Sequence, residues 1–368
     1  MLSKINVKAP IMERIKELFR RNVRYYQQYK RESLKRQKYL QLHPTMIAVF
    51  KCMDGRVHFP LVTNFLIGII KPFRRLGGKF NLGWPHLSDV FLKWVQEQLA
   101  LGKSCLVIVS YHFSKGDPKR GCAGFNFDTA AALDHQLWFR DQIRSVFASV
   151  NNNVYPIVIG LETDSDALVI HGEAGQRLDL SERLTATDDA IFEELCQLFP
   201  DMPQQMLLDL MPLIEGNIAH IKERQATTEI IEVEHNEWVI AFGTGFDWLH
   251  APNTAIIIGP WHMVDLGQEI RVALRIIQGN MKAGRIPDDG FIFLVSSEWQ
   301  RSPEDRLRAE KVKEFTAFAK TILEEEEFAD IAPTARFISG IVDDSKKLAL
   351  LPGNAPEFEA LLESASAE

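Results

Sequence analysis

Apolar and polar positions along this chain follow two different periods. Across residues 9–41, Ile11, Ile15, Leu18, Phe19 and Val23 recur at the three-to-four spacing of one helix face. Pro44 biases His43 away from helix and closes that segment. The run "MIAVFKC" (46–52) is continuous and apolar, as a buried strand is. Helical spacing returns at 87–102, with Ser88 as the expected cap and Gly102 past the end. "KSCLVIVSYHF" (103–113) predicts a second buried strand. Residues 127–150 predict a long helix capped by Asp128, and 154–172 a strand, an acidic turn and another strand. Strand, helix, strand, helix, strand is the order of an α/β domain with a mainly parallel sheet. Binding sites in such sheets form beyond the carboxyl ends of strands, and Cys52 and His112 both stand at such ends.

Residues 176–227 read as a helical connector, interrupted by Pro200, Pro203 and Pro212, with Cys196 as a packing residue. After it the first pattern returns. "WVIAFGTGFDW" (238–248) sits where "MIAVFKCMDGR" (46–56) sits, so Phe242 matches Phe50 and Thr244 matches Cys52. "DDGFIFLVSSEW" (288–299) resembles "LGKSCLVIVSYHF" (101–113), and each leads through a polar loop into a helix. "RFISGIVDDSKKLALLPG" matches "PIVIGLETDSDALVIHG" without gaps, placing Gly340 on Gly160, Asp344 on Asp164, Ser345 on Ser165 and Leu348 on Leu168. Two copies of one α/β unit are expected. The second has Thr244 and Glu298 where the first has a thiol and an imidazole, so it is expected to be degenerate. The resulting domains are 1–44, a basic helical arm; 45–175, a metal-binding α/β unit; 176–227, the connector; and 228–368, the repeat without metal ligands.

Composition alters this picture only in part. With 368 residues, 46% hydrophobic and 25% charged, the chain has the composition of a globular protein. No apolar run approaches the ~20 residues of a membrane helix, and the first residues carry no apolar secretory core, so a cytoplasmic location is expected. Residues 1–44 carry a net charge of +9 and the remainder −16. Such an arm suits an acidic protein or assembly, or a solvated helix face. Its interleaved Tyr and basic residues would suit RNA, but no RNA-binding signature accompanies them, so no nucleic acid is expected. Four cysteines in so long a chain make no disulfide framework.

The chemistry lies in Cys52, His112 and Cys122. Two thiolates and a neutral imidazole suit tetrahedral Zn²⁺, and three protein ligands leave the open position of a catalytic site. Cys105 lies inside an apolar run and is expected to pack. Gly116, Pro118 and Gly121 let the ten-residue span from His112 to Cys122 fold back. In an extended segment, residues 52, 54 and 56 would point one way. Asp54, held by a bidentate Arg56, would then orient a zinc-bound hydroxide rather than ligate the metal. His58, His86, His135 and His171 are possible proton carriers. Asp164 and Asp166 fit no calcium loop, and recurrence of Asp-Ser in the second copy favours a structural turn.

Cys-Met-Asp-Gly-Arg (52–56) fits the Cys-x-Asp-x-Arg motif of the β-class carbonic anhydrases, and His112 and Cys122 stand where that class has its later His and Cys ligands. The chain resembles in particular the carboxysome shell carbonic anhydrases. Those join one active domain to a degenerate copy after an N-terminal helical region, and also have a long loop between His and the second Cys. The likeness extends over roughly residues 45–350 in organisation and is specific at the ligand motifs. Ordinary β-class members place His and Cys three apart, against ten here, and the basic arm is short beside that of the shell family. The resemblance implies two tandem β-carbonic-anhydrase-like units forming a pseudo-dimer, with Zn²⁺ as cofactor. It implies reversible hydration of CO₂ to bicarbonate by zinc-bound hydroxide, a pocket lined by residues 74–85, possible homo-oligomers and a carboxysome as an alternative location. Two other readings stay open: hydrolysis of CS₂ or COS, and a non-catalytic zinc-binding regulatory or assembly protein.

Overall fold

The computed structural model describes residues 5–173, 175–227, 234–249, 253–260, 266–298 and 305–367. The chain forms two compact units, one of residues 34–233 and one that joins residues 1–33 to 234–368. The helices are α1 (Ile11–Arg31), α2 (Ser33–Leu42), α3 (Phe59–Val62), α4 (Pro85–Ala100), α5 (Thr129–Val146), α6 (Asp188–Leu198), α7 (Gln204–Ala226), α8 (Leu266–Lys282), α9 (Asp305–Leu323) and α10 (Pro356–Ala367). None among the described residues is long and apolar enough to cross a membrane.

The first sheet contains β1 (Met46–Cys52), β2 (Ile70–Arg75), β3 (Cys105–Phe113), β4 (Val154–Glu162), β5 (Ala167–His171) and β6 (Arg177–Asp179), in the order β2-β1-β3-β4-β5-β6. Its first four strands are parallel, and β5 and β6 return antiparallel. Parallel strands covered on both faces need continuous apolar runs, and every residue of β4 is buried. The strand β2 is not legible as such, because "IKPFRR" carries Pro72 and three cations. Its place at the sheet edge explains how the proline is tolerated. Phe50 of β1 stacks on Phe73 at 4.5 Å and meets Phe80, Phe91 and Phe139 edge-on at 4.9–5.1 Å. This aromatic cluster fixes β1 two residues before its end.

Two helix ends depart from expectation. The helix expected over 9–41 breaks at Glu32, where the apolar stripe has already run out. Helix α4 begins at Pro85, a residue suited to the first helical position, and Ser88 lies inside the first turn, donating to the Pro85 carbonyl at 2.9 Å. Asp128 does cap α5, accepting from the Ala131 N–H at 3.0 Å, and Gly102 takes a positive φ after α4.

The second sheet contains β7 (Val239–Gly243), β8 (Ala255–Ile258), β9 (Phe291–Glu298), β10 (Ala335–Val342) and β11 (Leu348–Leu350). Read from its β8 edge, the order is β8-β7-β9-β10-β11, the order of β2-β1-β3-β4-β5. The central register repeats as well: Phe50 lies opposite Val109, and Phe242 opposite Val295. Asp166 and Lys346, matched without gaps, both adopt positive φ in the hairpin turn, although the strand pairing there is offset by one residue. The chain thus contains two mostly parallel sheets flanked by helices, as two tandem units require. The polar loop expected after β9 lies outside the described residues.

Each hairpin is held by a buried asparagine in the same way. Asn217 of α7 accepts the Leu168 N–H at 3.0 Å and donates to the Asp166 carbonyl at 2.8 Å. Asn22 of α1 accepts the Leu348 N–H at 2.9 Å and donates to the Lys346 carbonyl at 3.0 Å. The helix preceding the first sheet in sequence therefore serves the second sheet, and the helix preceding the second serves the first. Part of the basic charge of α1 is answered internally: Arg14 is fully buried, bonds Asp289 at 2.5 Å and lies over the Trp238 ring. The connector segment likewise packs as α6 and α7 within the 34–233 unit.

Candidate metal centre

Strands β1 and β3 end on the same edge of the first sheet. Cys52 closes β1 and His112 is the last residue but one of β3. Cys122 arrives from the loop that leaves β3. Gly77 and Gly78, both at positive φ, make room for it: a Cβ on Gly124 would lie 2.7 Å from the Gly77 Cα. A Cβ on Gly78 would meet the Ser110 carbonyl at 3.0 Å and the Cys52 nitrogen at 3.5 Å. Residues 74–80 thus lie against both cysteine-bearing segments, and only glycine lets the backbones approach so closely.

The Cys52, His112 and Cys122 donor atoms lie within 4.8 Å of one another, and all three residues are buried. The two sulfurs are 3.9 Å apart. Tetrahedral zinc with ~2.3 Å bonds to sulfur requires about 3.8 Å. Among the described residues, neither ring nitrogen of His112 finds a hydrogen-bond partner, although the residue is only 1% exposed. A buried imidazole is ordinarily satisfied, so this donor set fits a metal on both spacing and unmet bonding.

Asp54 stands beside the cluster, its Oδ2 3.8 Å from His112 Nε2. Arg56 grips it through its N–H to Oδ1 at 2.8 Å, Nε to Oδ1 at 3.0 Å and Nη2 to Oδ2 at 2.7 Å. The route to this pair differs from the extended alternation expected from sequence. The strand stops at Cys52, and a turn closed by the Val57 N–H to the Asp54 carbonyl brings the two side chains together. An aspartate that bonds the amide two residues on favours such a turn over continued strand.

The thiols do not titrate alike. The hydrogen bond from Cys52, helped by the N–H groups of Gly124 and Phe125, holds the Cys122 thiol below its ordinary range. That shared proton, together with burial, pushes Cys52 well above it. Cys105 is buried in β3 and is raised to about 12 by burial alone, as an inert packing thiol is. Burial lowers His135 and His171 to about 4 each, so both are neutral near pH 7. His171 lies 2.9 Å from the Tyr111 hydroxyl. His58 is fully buried, and His86 lies in the first turn of α4.

The matching place in the second unit is built differently. The Thr244 hydroxyl accepts the Glu298 N–H at 3.0 Å. Lys346 Nζ lies 2.7 Å from Glu298 and 3.3 Å from Asp247. Burial opposes the ammonium charge, but the two carboxylates outweigh it and hold Lys346 above the ordinary lysine range. Sequence reasoning missed Lys346, because the residue it matches is Asp166.

Residues 95–232 match the family model described as Carboxysome Shell Carbonic Anhydrase, catalytic domain. The carboxysome shell carbonic anhydrase of Prochlorococcus marinus subsp. pastoris (strain MED4) is 29% identical over 173 residues, covering 40% of this chain and 33% of that protein. The one from Prochlorococcus marinus (strain MIT 9313) is 30% identical over 172 residues, covering 40% and 33%. The one from Parasynechococcus marenigrum (strain WH8102) is 28% identical over 197 residues, covering 47% and 34%. The chain thus spans about a third of the length of these relatives. Cys52, Asp54 and Arg56 precede the family-model match, whereas His112 and Cys122 lie within it. Over the segment carrying these two donors the chain is similar to the carboxysome shell carbonic anhydrases.

Proposed function

We propose that Cys52, His112 and Cys122 hold Zn²⁺ and that the chain catalyses the reversible hydration of CO₂ to bicarbonate. The observation that carries this reading is the buried Cys-His-Cys cluster, with sulfurs 3.9 Å apart, beside a carboxylate pinned by arginine. Zinc, when bound, acidifies a water and so supplies a nucleophile for CO₂ at neutral pH. Three protein donors leave room for that water. Asp54 Oδ2 would accept the O–H of the reacting water and turn its lone pair toward the carbon. Arg56, bonded to both carboxylate oxygens, would hold Asp54 in that orientation. The second unit, with Thr244, Glu298 and Lys346 at the matching place, would carry no metal. Together the units would act as a pseudo-dimer with one working centre.

The names of the relatives support extending this proposal to a carboxysome as the location, with CO₂ and bicarbonate as the small-molecule partners. The test is stopped-flow CO₂ hydration with metal analysis on the full chain, with Cys52→Ser as control. The expected result is about one zinc per chain and activity that the control and chelation both abolish. Undiminished activity in zinc-free protein would refute the reading. Zinc-replete protein inert to CO₂ but active on CS₂ or COS would redirect it.

A further inference from the structure

The loop from His112 to Cys122 is long, and its own bonds do not explain why it returns Cys122 to one place. Its support comes from the turn between β4 and β5. Asp164 accepts the Gly116 N–H at 2.7 Å and the Ser114 hydroxyl at 2.8 and 3.0 Å, while Arg120 Nη1 lies 3.5 Å away. Glu162, 2% exposed, accepts the Lys115 N–H at 3.0 Å and fixes the turn itself through the Asp164 and Ser165 N–H groups. The Asp117 N–H returns to the Ser114 hydroxyl at 3.0 Å, and Lys115 Nζ reaches Asp179 at 3.0 Å. Three consecutive loop N–H groups, at 115, 116 and 117, are thus bound by the hairpin carboxylates or by the hydroxyl that Asp164 holds. Where the second unit has a hairpin but no thiol to place, the residue matching Glu162 is Val342, which has no acceptor on its side chain. Among the described residues, Asp343 there caps its own turn, through the Ser345 and Lys347 N–H groups.

We infer that Glu162 and Asp164 are positioning residues for the metal centre, clamping the His112–Cys122 loop so that the Cys122 sulfur reaches the Cys52–His112 pair. This rests on the metal reading and adds to it that the second thiolate is held from the β4–β5 hairpin. The clamp replaces the rigidity that a short loop would supply: each bound N–H removes freedom that would otherwise be lost when the metal binds. Loss of a partner that orients a ligand typically costs 10–100-fold in metal affinity.

The test is a Co²⁺ titration of the full chain, reading thiolate-to-cobalt charge-transfer absorption per bound ion and alkylation of Cys122 by mass spectrometry. Asp164→Ala is expected to bind Co²⁺ about 10–100-fold more weakly. Its absorption should fall from that of two thiolates toward that of one, with Cys122 newly open to alkylation. Asp344→Ala, the matched change in the second unit, should leave all three readouts unchanged. Ser114→Ala should repeat the Asp164→Ala result in milder form, and Ser114→Thr, which keeps the hydroxyl, should restore the two-thiolate signal. This pair keeps the test decisive should Asp164→Ala fold poorly. Full two-thiolate absorption with unchanged affinity in both Asp164→Ala and Ser114→Ala would overturn the clamp. Wild-type protein that takes up no Co²⁺ would instead overturn the metal reading, and the clamp with it.

Discussion

The two sheets share strand order, central register and an asparagine-braced hairpin, yet their carboxyl edges hold opposite chemistry. At the first edge, two thiols and a buried imidazole converge within 4.8 Å of one another. At the second, Glu298 and Asp247 are answered by the ammonium of Lys346. A fold built to assemble ligands at a strand edge can also close that edge with an internal ion pair. The difference rests on a few side chains, because the backbone frame is set by the apolar strands beneath them.

The comparison breaks most sharply at the ligands. Cys52→Ser or His112→Ala is expected to remove zinc and reduce CO₂ hydration to the uncatalysed background. The matched Thr244→Ala should leave both metal content and activity unchanged. Next comes the frame under each edge. Phe50→Ala empties a site bounded by four aromatic rings and should cost about 3–5 kcal/mol in denaturant unfolding. Lys346→Met leaves two partly buried carboxylates facing each other and should cost about 2–3 kcal/mol, discounted for their residual exposure. Adding Glu298→Gln should recover part of that loss.

The asparagines sharpen the likeness instead. Asn217→Ala and Asn22→Ala should each cost about 1–2 kcal/mol, since each orphans a hairpin N–H and carbonyl. Very unequal costs would argue that the two helices do not play matched roles. The smallest effect concerns pH. His135 and His171 are depressed to about 4, so the unfolded chain binds their protons first. Their contribution to stability is complete above the unfolded value near 6.5 and is lost as pH falls from there toward 4. Gln at both positions should flatten that part of the stability–pH curve.

Much of this was readable in the sequence because it depends on local pattern. The apolar runs at 46–52, 105–113 and 154–162 give the buried strands, and the ungapped Gly160–Leu168 match gives the duplication. The spacing of Cys52, Asp54 and Arg56 gave the right neighbours by the wrong route, since a turn rather than an extended strand joins the carboxylate to the guanidinium. The strand β2 was hidden because an edge strand need not be apolar on both faces. Lys346 and the roles of Glu162 and Asp164 were hidden because partners such as Lys115, Ser114, Glu298 and Asp247 lie 47 to 99 residues away, beyond any periodicity.

The sequence by itself determined which residue types are present and which strands must be buried, and so the α/β class, the two copies and the Cys-His-Cys donor set. The tertiary structure decided which helix braces which hairpin, what holds the Cys122 loop and how the second edge neutralises its charge. Burial is a property each segment carries along the chain, whereas a hydrogen bond or ion pair exists only once folding brings its two halves together.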